Sequence, residues 1–176
     1  MRKKWNAILA AALIAIFLLH GAMGSFMLLG LGNGAMKPLA WAGVALAAVH
    51  AALGALATAR AVRGGGRLYL RQNALFWARR VSGLCLLVLA CLHFGLFGGE
   101  AGGQYILFEF TTARMAAQML LIAALFAHIA MNARPLLVSL GILAHRERRG
   151  DIFLILSLFL LLFTVAVVAY YVGWQA

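Results

Sequence analysis

An all-α integral membrane fold, one bundle of five transmembrane helices filling residues 1–176, is what this sequence predicts. Three observations carry that reading. The 176 residues are 65% hydrophobic and 11% charged, with a mean hydropathy of +0.98, far outside the usage of soluble domains. Five stretches are long enough to cross the bilayer, since about 30 Å of hydrocarbon takes roughly 20 helical residues. The fifteen basic residues, although they give a net charge of +11, gather at the ends of those stretches. That is a topological pattern and argues against nucleic-acid binding.

The first segment, Trp5 to Leu31, follows Met1-Arg2-Lys3-Lys4 directly. Its start is like that of a signal peptide, but it runs without a convincing cleavage site and carries His20, so it reads as a retained helix. The second, Leu39 to Val62, carries His50. The Gly64-Gly65-Gly66 run behind it is preceded by no strand and followed by no Gly-Lys-Ser/Thr, so it reads as a hairpin linker, not a phosphate-binding loop. The third segment, Ala74 to Phe97, holds His93 and both cysteines, Cys85 and Cys91, whose place in an apolar run suggests packing. Segment four, Thr112 to Arg134, carries His128, and segment five is Ile152 to Trp174. Trp5, Trp41, Trp77 and Trp174 lie near segment ends, as an interfacial aromatic belt requires.

Charge alternates between connections. Arg2, Lys3 and Lys4 precede segment one, Arg60, Arg63, Arg67, Arg71, Arg79 and Arg80 surround the second connection, and Arg146, Arg148 and Arg149 occupy the fourth. The opposite connections carry only Lys37, Arg114, Glu100 and Glu109. The positive-inside rule then puts the N-terminus and both arginine-rich connections in the cytoplasm, and the place expected for this multi-pass chain is a bacterial inner membrane. The connections are too short for a soluble catalytic domain, so any substrate chemistry is expected on another subunit.

His20, His50, His93 and His128 stand one apiece on four successive segments. An imidazole in hydrocarbon is costly unless partnered, so each is a functional candidate, and iron explains four together. At about 1.5 Å per residue from the cytoplasmic ends, His20 lies about 22 Å up, His93 about 28 Å, His50 about 18 Å and His128 about 9 Å. Depth therefore pairs His20 with His93 and His50 with His128, each pair clamping one haem by bis-imidazole ligation. No Cys-x-x-Cys-His occurs, so two haem b groups are expected, not covalent c-type haem. His145, among Arg146, Glu147, Arg148 and Arg149, reads as a solvated loop residue.

Phe76-Trp77-Ala78-Arg79-Arg80-Val81-Ser82-Gly83, followed ten residues later by His93, resembles the di-haem cytochrome b membrane anchor of succinate dehydrogenases and fumarate reductases. His128, Arg134 and Gly141-Ile142 on the fourth segment stand at similar offsets, and Lys37-Pro38 with His50-Ala51-Ala52-Leu53 matches the second. The resemblance covers the chain from the first segment to the fifth. It implies a subunit of a quinone-linked oxidoreductase, without dicarboxylate chemistry of its own, that docks a flavoprotein with FAD and an iron–sulfur subunit with its clusters on the cytoplasmic face. It also implies electron exchange with a quinone, menaquinone, with His50 and His128 holding the haem nearer the iron–sulfur subunit and His20 and His93 the other. The chain departs from some relatives in having no acid between Leu31 and Lys37 and in having Phe126 two residues before His128. Glu100 and Glu109, in the connection between segments three and four, read as solvated loop acids, with a substitute proton acceptor as the other reading.

Haem propionates need cationic neighbours at the membrane boundary. Arg134, six residues below His128, is one candidate, and Arg80 and Arg79 are others. Ser82 and Asn132 either orient ligands or bond to helix backbone. Gly21, Gly24, Gly43, Ala47, Gly54 and Gly83 serve either close helix approach or room for a flat macrocycle. Two other functions are open: a stand-alone b561-like cytochrome, in which a further helix would precede the first ligand, and a cofactor-free transporter whose histidines bind protons or metal.

Overall fold

The computed structural model describes residues 2–31, 37–65, 69–101, 104–142 and 149–175. His145, Gly66, Arg67, Arg146 and Arg148, singled out above, lie outside the described residues. The elements are α1 (Arg2–Leu28), α2 (Lys37–Arg63), α3 (Ala74–Phe94), a hairpin of β1 (Phe97–Ala101) and β2 (Gln104–Leu107), α4 (Thr112–Ser139) and α5 (Arg149–Gln175). All five helices are long and apolar enough to cross a membrane, making this a multi-pass all-α membrane protein. Val88, Leu154, Leu158 and Leu161 point outward, more than half exposed. In lipid such a surface costs nothing, because acyl chains are as apolar as leucine.

The helices end where local chemistry dictates. Leu31 N–H bonds to the Phe26 carbonyl at 2.8 Å and Gly30 N–H to that of Met27 at 3.0 Å, with Gly30 at φ +75°. Ile142 and Gly141 repeat this with Leu137 and Val138 behind α4, so both helices close in Schellman caps that occupy their last carbonyls. The first segment thus stops at Leu28, three residues before the expected end.

Two further boundaries differ from expectation. Helix α3 ends at Phe94, and Gly95 N–H turns back onto the Cys91 carbonyl at 3.2 Å. The residues beyond form an antiparallel hairpin with an irregularity between Phe97 and Gly99. Helix α4 continues past Arg134, through Pro135, to Ser139. Proline has no N–H, so the carbonyl four residues earlier, that of Met131, loses its helical donor. Arg79 Nε donates to that oxygen at 2.9 Å from α3. A guanidinium from the neighbouring helix therefore completes the α4 ladder and ties the two helices together.

The core lies at the junction of α1, α4 and α5, where Ile122, Phe126, Ile129, Leu156, Phe163 and Val167 cluster. Gly21 of α1 meets the Phe163 ring so closely that any side chain there would collide with it. Leu96 and Phe110, flanking the hairpin, are buried against the same cluster and close that end of the bundle. Packing is extensive between α3 and α4 and between α1 and α2, while α2 and α3 touch only sparsely. A long internal space remains between the α1–α2 and α3–α4 pairs.

Candidate functional site

That space is a cavity of about 1900 Å³, reaching from Trp5, Arg60, Arg79 and Arg80 at one end, the basic end, to Phe97 and Gly98 of the hairpin at the other. Ordinary small-molecule sites occupy about 300–1,000 Å³, so there is room for more than one drug-sized group. All four membrane histidines, His20, His50, His93 and His128, line it. Two glycines open it further: Gly24 and Gly54 each stand four residues, about one helical turn, beyond His20 and His50. Among the described residues nothing lies within 4 Å of the place where either would carry a Cβ. At Gly21 and Gly43, by contrast, a Cβ would meet Phe163 and Ile16 respectively, so these glycines serve helix packing.

His20 and His93, from α1 and α3, face one another near the hairpin end, with ring centroids 6.0 Å apart and planes at 89°. His93 Nδ1 lies 2.7 Å from Gln118 Oε1. A carboxamide oxygen only accepts, so Nδ1 carries the proton and the lone pair of His93 is on Nε2. Gln118 is 6% exposed, and its Nε2 has no partner among the described residues.

His128 is fixed in the same way nearer the basic end. Ser82 Oγ lies 3.1 Å from the Arg79 carbonyl and 2.9 Å from His128 Nδ1. The single hydroxyl hydrogen goes to the carbonyl, which cannot donate, so Ser82 accepts from His128 Nδ1–H and again leaves Nε2 bare. A Cβ on Gly83 would stand 3.4 Å from His128 Cε1, in van der Waals contact with the ring. His50 and Arg80 line the same cavity as His128. His50 Nδ1 is buried without a hydrogen-bond partner among the described residues.

The other polar candidates separate. Arg80 lies on the cavity wall, held by its Nε donating to Thr58 Oγ1 at 3.2 Å and by the Phe76 ring 4.1 Å beneath its guanidinium. Arg134 is exposed and is not among the cavity-lining residues, whereas Arg60, read from sequence only as a topological charge, is. Asn132 Nδ2 donates to the His128 carbonyl at 2.8 Å, a bond to its own helix backbone. Glu109 is exposed outside the cavity lining, and the Glu100 side chain lies outside the described residues. Gln118 was missed from sequence, although a carboxamide inside an apolar span was a readable signal, because intramembrane polar groups face partners.

The chain matches no protein-family model, no curated protein and no solved structure.

Proposed function

We propose that this chain is the membrane anchor and electron-transfer subunit of a succinate dehydrogenase or quinol:fumarate reductase type of complex, binding two haem b groups. One observation carries the haem reading: two imidazoles on different helices approach each other on the wall of one cavity, with ring centroids 6.0 Å apart and planes at 89°. Two imidazoles bonded at about 2 Å to opposite sides of one metal ion put their ring centres about 6 Å apart. Among the described residues no three His, Cys, Asp or Glu side chains converge. Each pair offers two donors, the number a metalloporphyrin leaves open.

The remaining residues fit the group. The unprotonated Nε2 of His93 and of His128 and the open space beside Gly24 and Gly54 would suit a flat macrocycle held by imidazole nitrogens. His50 with His128 would hold one haem and His20 with His93 the other, and Arg60 and Arg80 would pair with propionates at the basic end. Bound haem supplies one-electron exchange between ferric and ferrous iron. The chain's own part is to present neutral imidazoles in a fixed tautomer, to exclude water with the Leu96–Phe110 closure, and to stack the two sites across the bilayer.

In this reading the basic end faces the cytoplasm of a bacterium, by the positive-inside rule. It docks an iron–sulfur subunit and a flavoprotein carrying FAD, while electrons pass to or from a membrane quinone, menaquinone. The test is a reduced-minus-oxidised absorbance spectrum of the purified chain, together with identification of the polypeptides that copurify. Two b-type haems with a flavin-bearing and an iron–sulfur partner are expected. Haem without those partners favours a stand-alone cytochrome. Colourless protein after expression with ample porphyrin supply overturns the reading in favour of a cofactor-free membrane protein.

A further inference from the structure

We propose that Gln118 is a positioning residue for His93, fixing through its carboxamide oxygen the tautomer, tilt and donor strength of that imidazole toward a bound iron; this inference rests on the haem reading above. A glutamine inside a transmembrane span is costly unless its polar atoms are satisfied. Gln118 is 6% exposed and satisfies only one of its two ends, because Nε2 finds no partner among the described residues. Its place is therefore explained by what Oε1 does. That oxygen lies 2.7 Å from His93 Nδ1, and the Phe97 ring packs against the same imidazole at 5.9 Å between centroids with the planes at 89°.

A metal-bound histidine characteristically donates its second N–H to a fixed acceptor, which orients the ring and raises ligand basicity. A stronger acceptor pushes electron density toward the metal and favours ferric iron, and a missing one favours ferrous iron. Ser82 stands in the corresponding place for His128. The two sites thus have different acceptors on their α3 and α4 ligands, a carboxamide oxygen in one and a hydroxyl in the other. Changing Gln118 should then move one haem and leave its neighbour in place.

The experiment is a redox titration of the purified wild-type chain and of Gln118→Glu and Gln118→Met, followed optically. The expected result is that one of two midpoint potentials falls in Gln118→Glu and rises in Gln118→Met, the other haem holding its wild-type potential. In Gln118→Met the affected haem should also be retained about 10- to 100-fold less tightly. Shifts in the same direction in both variants, or no shift with both haems retained, would reduce Gln118 to a packing role and overturn the proposal. Should Gln118→Met fail to accumulate, the sign of the shift in Gln118→Glu decides the matter by itself. A colourless wild-type chain defeats the functional reading and this inference together, whereas a two-haem wild type with unresponsive variants defeats only this inference.

Discussion

Arg79 donates from α3 to the Met131 carbonyl, the one that Pro135 deprives of its helical partner, and substituting either side has a calculable effect. In Arg79→Leu that carbonyl is left without a donor inside the bundle, at a cost of about 1–3 kcal/mol. For a chain of this size each kcal/mol moves a melting temperature by about 2–4 °C, so a fall of roughly 2–12 °C in detergent is expected. Pro135→Ala restores the N–H that bonds to Met131 within α4, and then the guanidinium is no longer needed. The double variant should therefore lose less than the sum of the two single changes. Interhelical hydrogen bonds in bilayers average about 0.6 and reach about 1.7 kcal/mol, so the coupling should be about 1 kcal/mol. Thermal unfolding of wild type, both single variants and the double variant closes the cycle. Strict additivity would refute the idea that Arg79 fills the proline gap.

Four further outcomes are expected. His50→Ala should remove one haem and leave the other spectrally intact; if the haem lost is instead the one that His93→Ala removes, the pairing is wrong. Gly54→Phe, placed where nothing lies within 4 Å, should lower haem stoichiometry from two to one while circular dichroism keeps its helical content, and two retained haems would count against that space as a macrocycle site. Arg80→Ala should loosen haem retention and Arg134→Ala should not, which pigment loss during detergent washing would compare. Gly21→Leu should lower the melting temperature through collision with the Phe163 ring, with partial rescue by Phe163→Ala, and an unshifted transition would mean that α1 and α5 can separate freely.

Much of the fold was legible because hydropathy and length decide a transmembrane helix almost alone. Helices α2 and α5 begin and end within three residues of the stretches read from hydropathy. Misplaced ends came from features hydropathy does not see. The apolar stretch read as segment four ends at Arg134, whereas α4 continues through Pro135 with its orphaned carbonyl served by Arg79, 52 residues away in sequence from Met131. The hairpin after α3 was read as helix and loop because Phe97 is apolar enough to extend the segment, while Gly98 and Gly99 provide the irregular strand start. In the candidate site, depth arithmetic alone put His20 beside His93, and their rings do face each other. What it could not supply was the atoms behind the imidazoles: Ser82 was one option among several, and Gln118 was passed over because no charge or motif marks it.

The seam between α2 and α3 has a consequence for traffic. It is bridged near the hairpin by Trp41 stacked on Phe94 at 6.4 Å, and near the basic end by Arg80 and Thr58. Between those two rivets the helices hardly meet, while Ala47, Leu53, Leu84 and Leu87 on either side reach through to the interior. Passage of a flat, apolar molecule through this wall would require side chains to move but no helix to unwind and no strand to part. Entry by that route needs no aqueous mouth.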